Sequence, residues 1–115
     1  MLDFHRADYR SVPEKLRLGN NPIEHTLDLH GMTVDHARNA LLRFLGECEA
    51  AGIRHVIIVH GKGFRSKDKP VIKSMVNRWL RATKTVLAFH SAQPKDGGTG
   101  AVYVLLKKFS ANERK

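Results

Sequence analysis

Apolar and polar positions along this chain fall into short runs with two different periods, and reading them in order predicts a succession of strands and helices. His25 to His30 alternates, with Leu27 and Leu29 on one face, and reads as the first strand. Val34, Ala37, Leu41, Phe44, Leu45 and Cys48 then recur at helical spacing, with Thr33 as the cap and Gly52 as the stop. Val56-Ile57-Ile58-Val59 is a β-branched run and predicts the second strand, broken by Gly61-Lys62-Gly63. A second helix is expected to start near Pro70, with Ile72, Met75, Val76, Trp79 and Leu80 as its apolar stripe and Lys73, Asn77, Arg81 and Lys84 on its other face. Val86 to Phe89 reads as the third strand, Gly97 to Gly100 as a loop, and Ala101 to Leu106 as the fourth strand. Ahead of all these, Ser11-Val12-Pro13-Glu14 predicts a capping box opening a short helix from Val12 to Leu18. That helix would stop at Gly19, before an Asn20-Asn21-Pro22 turn. The tail from Lys107 is charged and is expected to fray.

The order βαβαββ has topological consequences. Helical crossovers make the first three strands parallel, and their right-handed connections put both helices on one face. A short connection makes the last strand antiparallel. The expected fold is therefore α/β, a two-layer sandwich with a mixed four-stranded sheet. The expected organisation is an N-terminal extension with a short helix over 1–24, one domain over 25–108, and a charged tail over 109–115. A length of 115 residues suits one core. The only cysteine, Cys48, lies on the apolar helical stripe and reads as core, so no internal disulfide forms and a cytoplasmic setting is expected. No apolar run approaches the ~18 residues of a membrane span, and the first ten residues have no signal-peptide core, so no membrane partner is expected.

Charge changes this picture. The net charge is +9, and the segment from Lys62 to Lys84 holds eight Lys/Arg against the single acid Asp68, leaving only +2 for the rest. A solvated helix face explains scattered charges but not one sign packed into one segment. Such a patch points to a polyanion, DNA or RNA in a cytoplasmic protein.

Chemistry gathers at one edge of the expected sheet. The carboxyl ends of parallel strands share an edge where ligands bind. Asp28-Leu29-His30, His60-Gly61-Lys62-Gly63 and His90-Ser91 all end there, and the fourth strand begins there after its glycine loop. Asp28 and His30 are two apart and share a strand face, away from Leu27 and Leu29. A carboxylate so placed can orient an imidazole for proton transfer, or simply bond to nearby amides at the strand end. Gly61 and Gly63 are expected to turn N–H groups outward as an anion nest, with Lys62 adding a full charge. Phe64 in this basic loop is a candidate for stacking on a base. His5, His25, His36 and His55 read as structural or solvated, and Trp79 as core. No phosphate-binding Gly-x-x-x-x-Gly-Lys-Ser/Thr loop is present.

Leu27-Asp28-Leu29-His30-Gly31, His60-Gly61-Lys62-Gly63 and Gly97-Gly98-Thr99-Gly100-Ala101-Val102-Tyr103-Val104, with Lys15-Leu16-Arg17-Leu18-Gly19 upstream, resemble the signatures of the Smr (small MutS-related) domain. The resemblance covers residues 13–108, and Trp79-Leu80 with Ala88-Phe89-His90 is similar to the stand-alone bacterial branch. Stand-alone members commonly carry a longer N-terminal extension, so a trimmed chain is expected. The resemblance implies a fold similar to the C-terminal domain of translation initiation factor three. It also implies endonuclease activity, as DNA nicking in several members and cleavage of mRNA on stalled ribosomes in others. It maps the family's functional Asp and His onto Asp28 and His30, and its Gly-x-Gly loop onto Gly61, Lys62 and Gly63.

The expected function is therefore a nucleic-acid-binding endonuclease acting on DNA or RNA. Asp28, His30, His60 and Lys62 are the candidate catalytic residues, with His60 or His90 in the complementary proton role. Gly61, Gly63, Phe64, Arg65, Lys67, Lys69, Lys73, Arg81 and His90 are the candidate nucleic-acid contacts. No cofactor is expected, and no metal ligand is assigned. A divalent metal would be needed chiefly if water, not a ribose 2′-hydroxyl, attacks. The alternatives are a non-catalytic module that binds nucleic acid or a ribosome, and an enzyme for a small phosphate ligand. The intact Asp28/His30 pair argues against the first, and the length of the basic stretch against the second. A monomer or weak homodimer is expected.

Overall fold

The run Ala101–Leu106 is apolar at every position, without the alternation of a half-solvated strand, and all six of its residues are buried. A strand reads that way when both faces of its sheet are covered. In the computed structural model, which describes residues 1–62 and 72–108, this strand lies in the middle of a five-stranded sheet. The elements in chain order are β1 (Asp3–His5), α1 (Glu14–Leu18), β2 (His25–Asp28), α2 (Val34–Ala51), β3 (His55–Val59), α3 (Ile72–Ala82), β4 (Val86–Ser91) and β5 (Ala101–Leu106). Two 3-10 turns, Pro94–Asp96 and Gly98–Gly100, connect β4 to β5 where a plain loop was expected.

The sheet order is β1-β4-β5-β3-β2. β2 and β3 pair in parallel, Asp28 opposite Val59, and β5 is antiparallel to both β3 and β4. β2, β3 and β4 therefore run in one direction, as their helical crossovers require, and β5 is inserted between the last two. The fold class is the expected one with one correction to the strand count. The fifth strand is β1, three residues antiparallel to β4, with Phe4 opposite Phe89. It is too short to announce itself by periodicity and depends on tertiary contacts. The Phe4 and Phe89 rings stack at 5.2 Å, and the guanidinium groups of Arg6 and Arg81 lie 5.0 and 4.9 Å from the Phe4 centroid.

The two sheet faces carry separate cores. On one side Leu29, Ile58, Val102, Val104 and Leu106 pack with the α2 stripe Ala37, Leu41, Phe44, Leu45 and Cys48 and with Val76 and Leu80 of α3. The α2 boundaries follow the expected chemistry. Thr33 Oγ1 accepts the His36 N–H at 3.3 Å, and Gly52 ends the helix in a left-handed conformation at φ +71°. On the other side Ile57, Ala88, Ala101, Tyr103 and Leu105 pack with Leu16 of α1, and Tyr9 and Val12 join them at the edge. The N-terminal segment thus covers the face that the two long helices leave open.

α1 differs from expectation at its start. Pro13 is the N-cap and no side chain caps the helix, so Ser11 closes no capping box. Its end is as expected: Gly19 terminates it at φ +70°, and a Cβ built there would lie within 2.4 Å of the Tyr103 hydroxyl oxygen. That hydroxyl donates to Asp96 and accepts the Gln93 N–H at 3.2 Å, tying α1, the turn and β5 together. The expected start of the second helix near Pro70 and the fraying tail beyond 108 lie outside the described residues.

Candidate functional site

Asp28 is the last residue of β2. The alternation that buries Leu29 in the helical core and packs Leu27 against it turns Asp28 to the opposite face. The chain then turns through His30 and Gly31, the latter at φ +78°. The imidazole is thereby brought back onto the carboxylate. His30 Nδ1 lies 2.5 Å from Asp28 Oδ1, which also accepts the His30 backbone N–H at 3.0 Å. Asp28 therefore both bonds to a local amide and orients an imidazole. The hydrogen bond from His30 is the leading reason that the Asp28 carboxyl sits below the usual carboxylate range, against a partial desolvation cost. A carboxylate can only accept, so Nδ1 carries the proton. Nε2 makes no hydrogen bond to any described residue, and the side chain is 68% exposed.

The loop after β3 lies against this pair. Gly61 has φ +82°, and a Cβ there would sit 3.5 Å from His30 Cβ. Across the loop, a Cβ on Gly100 would meet Lys62 Cγ at 3.4 Å and the Gly61 backbone at 3.7 Å. Gly100, which the sequence places in a signature glycine loop without a role of its own, thus packs directly against the loop after β3. Its carbonyl accepts both the His60 and Gly61 N–H groups, at 2.9 and 3.0 Å. This corrects the expected nest, because the Gly61 amide is already bonded and is not offered to an anion. Lys62 is exposed at the same edge.

His60 and His90 do not join the pair. His60 is only 3% exposed. Its Nδ1 donates to the Gly61 carbonyl at 2.7 Å, and its buried Nε2 has no partner among the described residues. Burial is the main cause that holds this imidazole below its ordinary pKa, and the charge of Lys73 on α3 pushes the same way. Strand alternation and that neighbour both turn the ring toward the helical layer, away from Asp28. His90, 9% exposed, lies on β4. Because β5 and β3 intervene, it stands three strand spacings from β2, about 14 Å at ~4.8 Å per strand. Its Nδ1 donates to the Ser91 carbonyl at 2.8 Å.

Of the basic candidates, Lys73 is half-buried on α3. Arg81 is exposed yet engaged, donating to Asn77 Oδ1 at 2.9 Å and to the Asp3 carbonyl at 3.1 Å. Gly63, Phe64, Arg65, Lys67 and Lys69 lie outside the described residues. Among the described residues no cluster of three or more His, Cys, Asp or Glu side chains is spaced to hold a metal ion. No helix among them is long and apolar enough to cross a membrane. His55 Nδ1 lies 3.4 Å from Glu24 Oε1, His25 packs edge-on to Phe44 at 5.4 Å, and Cys48 is buried, all in keeping with structural roles.

The model of the Smr domain family matches residues 27–107, which include the Asp28–His30 pair, the Gly61 loop and Gly100. The chain belongs to the Smr domain family. It is 38% identical, over 93% of its length, to a protein of Escherichia coli K12 named probable DNA endonuclease SmrA. It is 34% identical, also over 93%, to one of Tolumonas auensis named ribosome rescue factor SmrB. It spans 58% and 59% of the lengths of those two proteins. Among solved structures, YdaL of Escherichia coli, a stand-alone small MutS-related protein, superposes with a TM-score of 0.80 at 38% identity, covering 93% of this chain and 83% of that one. The Smr domain of Thermus thermophilus MutS2 superposes at 0.64 with 31% identity, covering 72% of this chain and 98% of that one.

Proposed function

We propose that this Smr chain is a nucleic-acid endonuclease domain whose acid–base chemistry is supplied by His30, oriented by Asp28. The observation that carries this reading is the 2.5 Å contact between His30 Nδ1 and Asp28 Oδ1, with Nε2 left open on an exposed ring. That is the arrangement a general base requires: one nitrogen held by a carboxylate, the other available to a hydroxyl. Exposed Lys62 supplies positive charge for the developing phosphorane. The names borne by the relatives, a probable DNA endonuclease and a ribosome rescue factor, favour a nucleic-acid substrate in the cytoplasm, with a ribosome as an alternative platform.

With His60 buried and His90 remote, one accessible imidazole serves the site, and Lys62 or water returns the proton to the leaving oxygen. This economy suits RNA, whose 2′-hydroxyl is an internal nucleophile that His30 deprotonates. DNA needs a water to attack, and a divalent metal to activate it.

The same economy also favours a second reading, a module that binds RNA or a ribosome without cutting. Incubation of the chain with supercoiled DNA and structured RNA, with and without chelator, separates the two. Cleavage of either substrate that is lost in His30→Ala supports the endonuclease. Tight binding with no cleavage of either, in the presence of added Mg²⁺ or Mn²⁺, overturns it in favour of the binding module.

A further inference from the structure

On the same sheet face as the Asp28–His30 pair, but at the opposite side of the sheet, the N-terminal segment leaves an open groove of about 290 Å³ lined by Asp3, His5, Ser11, Val12, Arg17 and His90. From this groove we infer a nucleotide-binding subsite, one that takes a nucleoside phosphate through Arg17 and the imidazoles of His5 and His90.

The two histidines are prepared alike. His5 Nδ1 lies 3.1 Å from the Arg6 carbonyl, and His90 Nδ1 lies 2.8 Å from the Ser91 carbonyl. A carbonyl only accepts, so both Nδ1 atoms carry the proton and both rings are held in one tautomer. Both Nε2 atoms are left without a bond to any described residue, while both rings line the groove. His5 stands opposite Ala88 and Asp3 opposite His90, so the two imidazoles are diagonal neighbours on adjacent strands. That separation is roughly 7–8 Å, within reach of a single small ligand. His90 is almost wholly buried, which makes the floor of the groove a set position, not a mobile surface.

The remaining groups define the ligand. Arg17 is the one full positive charge in the lining, and its guanidinium is only loosely engaged, 3.9 Å from Glu14. A phosphate oxygen suits it, with the Ser11 hydroxyl as a second donor. The two open Nε2 atoms, as acceptors, suit the amino and hydroxyl hydrogens of the same nucleotide. Val12 offers an apolar contact, and the Asp3 carboxylate accepts from an amino or imino group. An inorganic anion would leave those last two unused, whereas a nucleobase satisfies them. The volume, at the small end of ligand sites (~300–1000 Å³), suits one nucleotide and excludes a duplex. The nucleotide can come from a free nucleoside monophosphate or from an unpaired residue of a longer strand, and the chemistry of recognition is shared. The strand source rests on the endonuclease or nucleic-acid-binding reading above, and the free-nucleotide source does not.

The test is imidazole NMR on the full chain, following the ring signals of His5 and His90 during titration with guanosine 5′-monophosphate, a single-stranded trinucleotide and inorganic phosphate. The expected result is saturable shifts of both rings with the nucleotide or the trinucleotide, and at least five-fold weaker shifts with phosphate. Arg17→Gln, an exposed change that leaves the core intact, should weaken binding by about ten-fold, while Arg38→Gln on α2 should change it less than two-fold. Binding to the monophosphate but not the trinucleotide supports a free-nucleotide site, and the reverse supports a strand subsite. No saturable shift with either, equal binding of phosphate, or indifference to Arg17→Gln overturns the inference. Repeating the titration in His30→Ala keeps the two proposals apart, because groove binding there is independent of whether the chain cleaves anything.

Discussion

Asp28 Oδ1 receives two hydrogen bonds from the same residue, the His30 backbone N–H at 3.0 Å and the His30 ring Nδ1 at 2.5 Å. The carboxylate thus sets both the turn that follows β2 and the orientation of the ring that the turn carries. Asn at position 28 keeps an oxygen for the amide but removes the negative charge that steadies an imidazolium. We expect Asp28→Asn to lower the cleavage rate by ~10²–10⁴, the range of general acid–base effects. Its affinity for nucleic acid should change less than three-fold, because neither residue belongs to the basic segment. Single-turnover rates beside equilibrium binding on the same substrate check this. A parallel loss of binding and rate would make Asp28 a structural residue only.

Gly19 and Gly31 both sit at positive φ, +70° and +78°, but in different surroundings. A Cβ at 31 meets nothing within 4 Å, whereas at 19 it would fall 2.4 Å from the hydroxyl of buried Tyr103. Gly31→Ala should therefore cost about 1–2 kcal/mol, the backbone cost of the left-handed conformation alone. Gly19→Ala should cost clearly more, because Tyr103 is held by Asp96 and Gln93 and cannot withdraw. Urea denaturation of the two variants gives the comparison, and equal losses would mean that the α1 end does not bear on Tyr103 as described.

Burial depresses the His60 pKa in the folded protein, with the Lys73 charge acting in the same sense. The unfolded chain binds a proton near the ordinary value of ~6.5, and the folded one only below it. Stability from this group is complete above pH ~6.5 and falls as the pH drops through the folded value. Asp28 and Glu24 are shifted the opposite way in charge terms: both carboxyls are held low, so their contribution is lost only below the ordinary carboxylate range, near pH 4. Acid titration of stability should therefore show an early decline, beginning as the pH falls below about 6.5 and ahead of the carboxylate range, that His60→Gln flattens. If the decline survives that change unaltered, His60 is not its source.

The basic segment gives a measurement that needs no active-site assumption. Each phosphate neutralised on duplex DNA adds about −0.9 to the log–log salt slope, so a slope of roughly −4 to −6 is expected. Arg65→Ala, Lys67→Ala and Lys73→Ala together should flatten it by ~2–3. An unchanged slope would put the binding surface elsewhere.

The face of Asp28 was legible from spacing, because Leu27 and Leu29 identify the other one, but its contact with His30 was not: the strand ends at Asp28 and not at His30 as expected, and it is the turn after it that brings the ring onto the carboxylate. The elements α2, β3 and β5 were legible because each is a long run of a single period. β1 was not, because three residues carry no period and its evidence is the stacking of Phe4 on a ring 85 positions away. Nor was the isolation of His90. Chain order brings it to the same edge as His30, but strand order sets β5 and β3 between β4 and β2. The unbroken apolar run of β5 held a sign that both faces of the sheet are covered, though it does not name the segment that covers the second. His60 looked like a site residue by position in its motif. Only the three-dimensional burial of its ring assigns it to the interior.

Proton transfer by an Asp28-oriented His30 to cleave a phosphodiester has a direct test. It is cleavage of a structured RNA in excess chelator by the wild-type chain and by His30→Ala, with the product ends determined and with a matched substrate carrying a 2′-deoxy nucleotide at the cut. We expect wild-type cleavage that leaves a 2′,3′-cyclic phosphate and a 5′-hydroxyl, loss of ~10²–10⁴ in His30→Ala, and no cleavage at the 2′-deoxy position. Equal cleavage of the 2′-deoxy substrate, or full activity in His30→Ala, would contradict it.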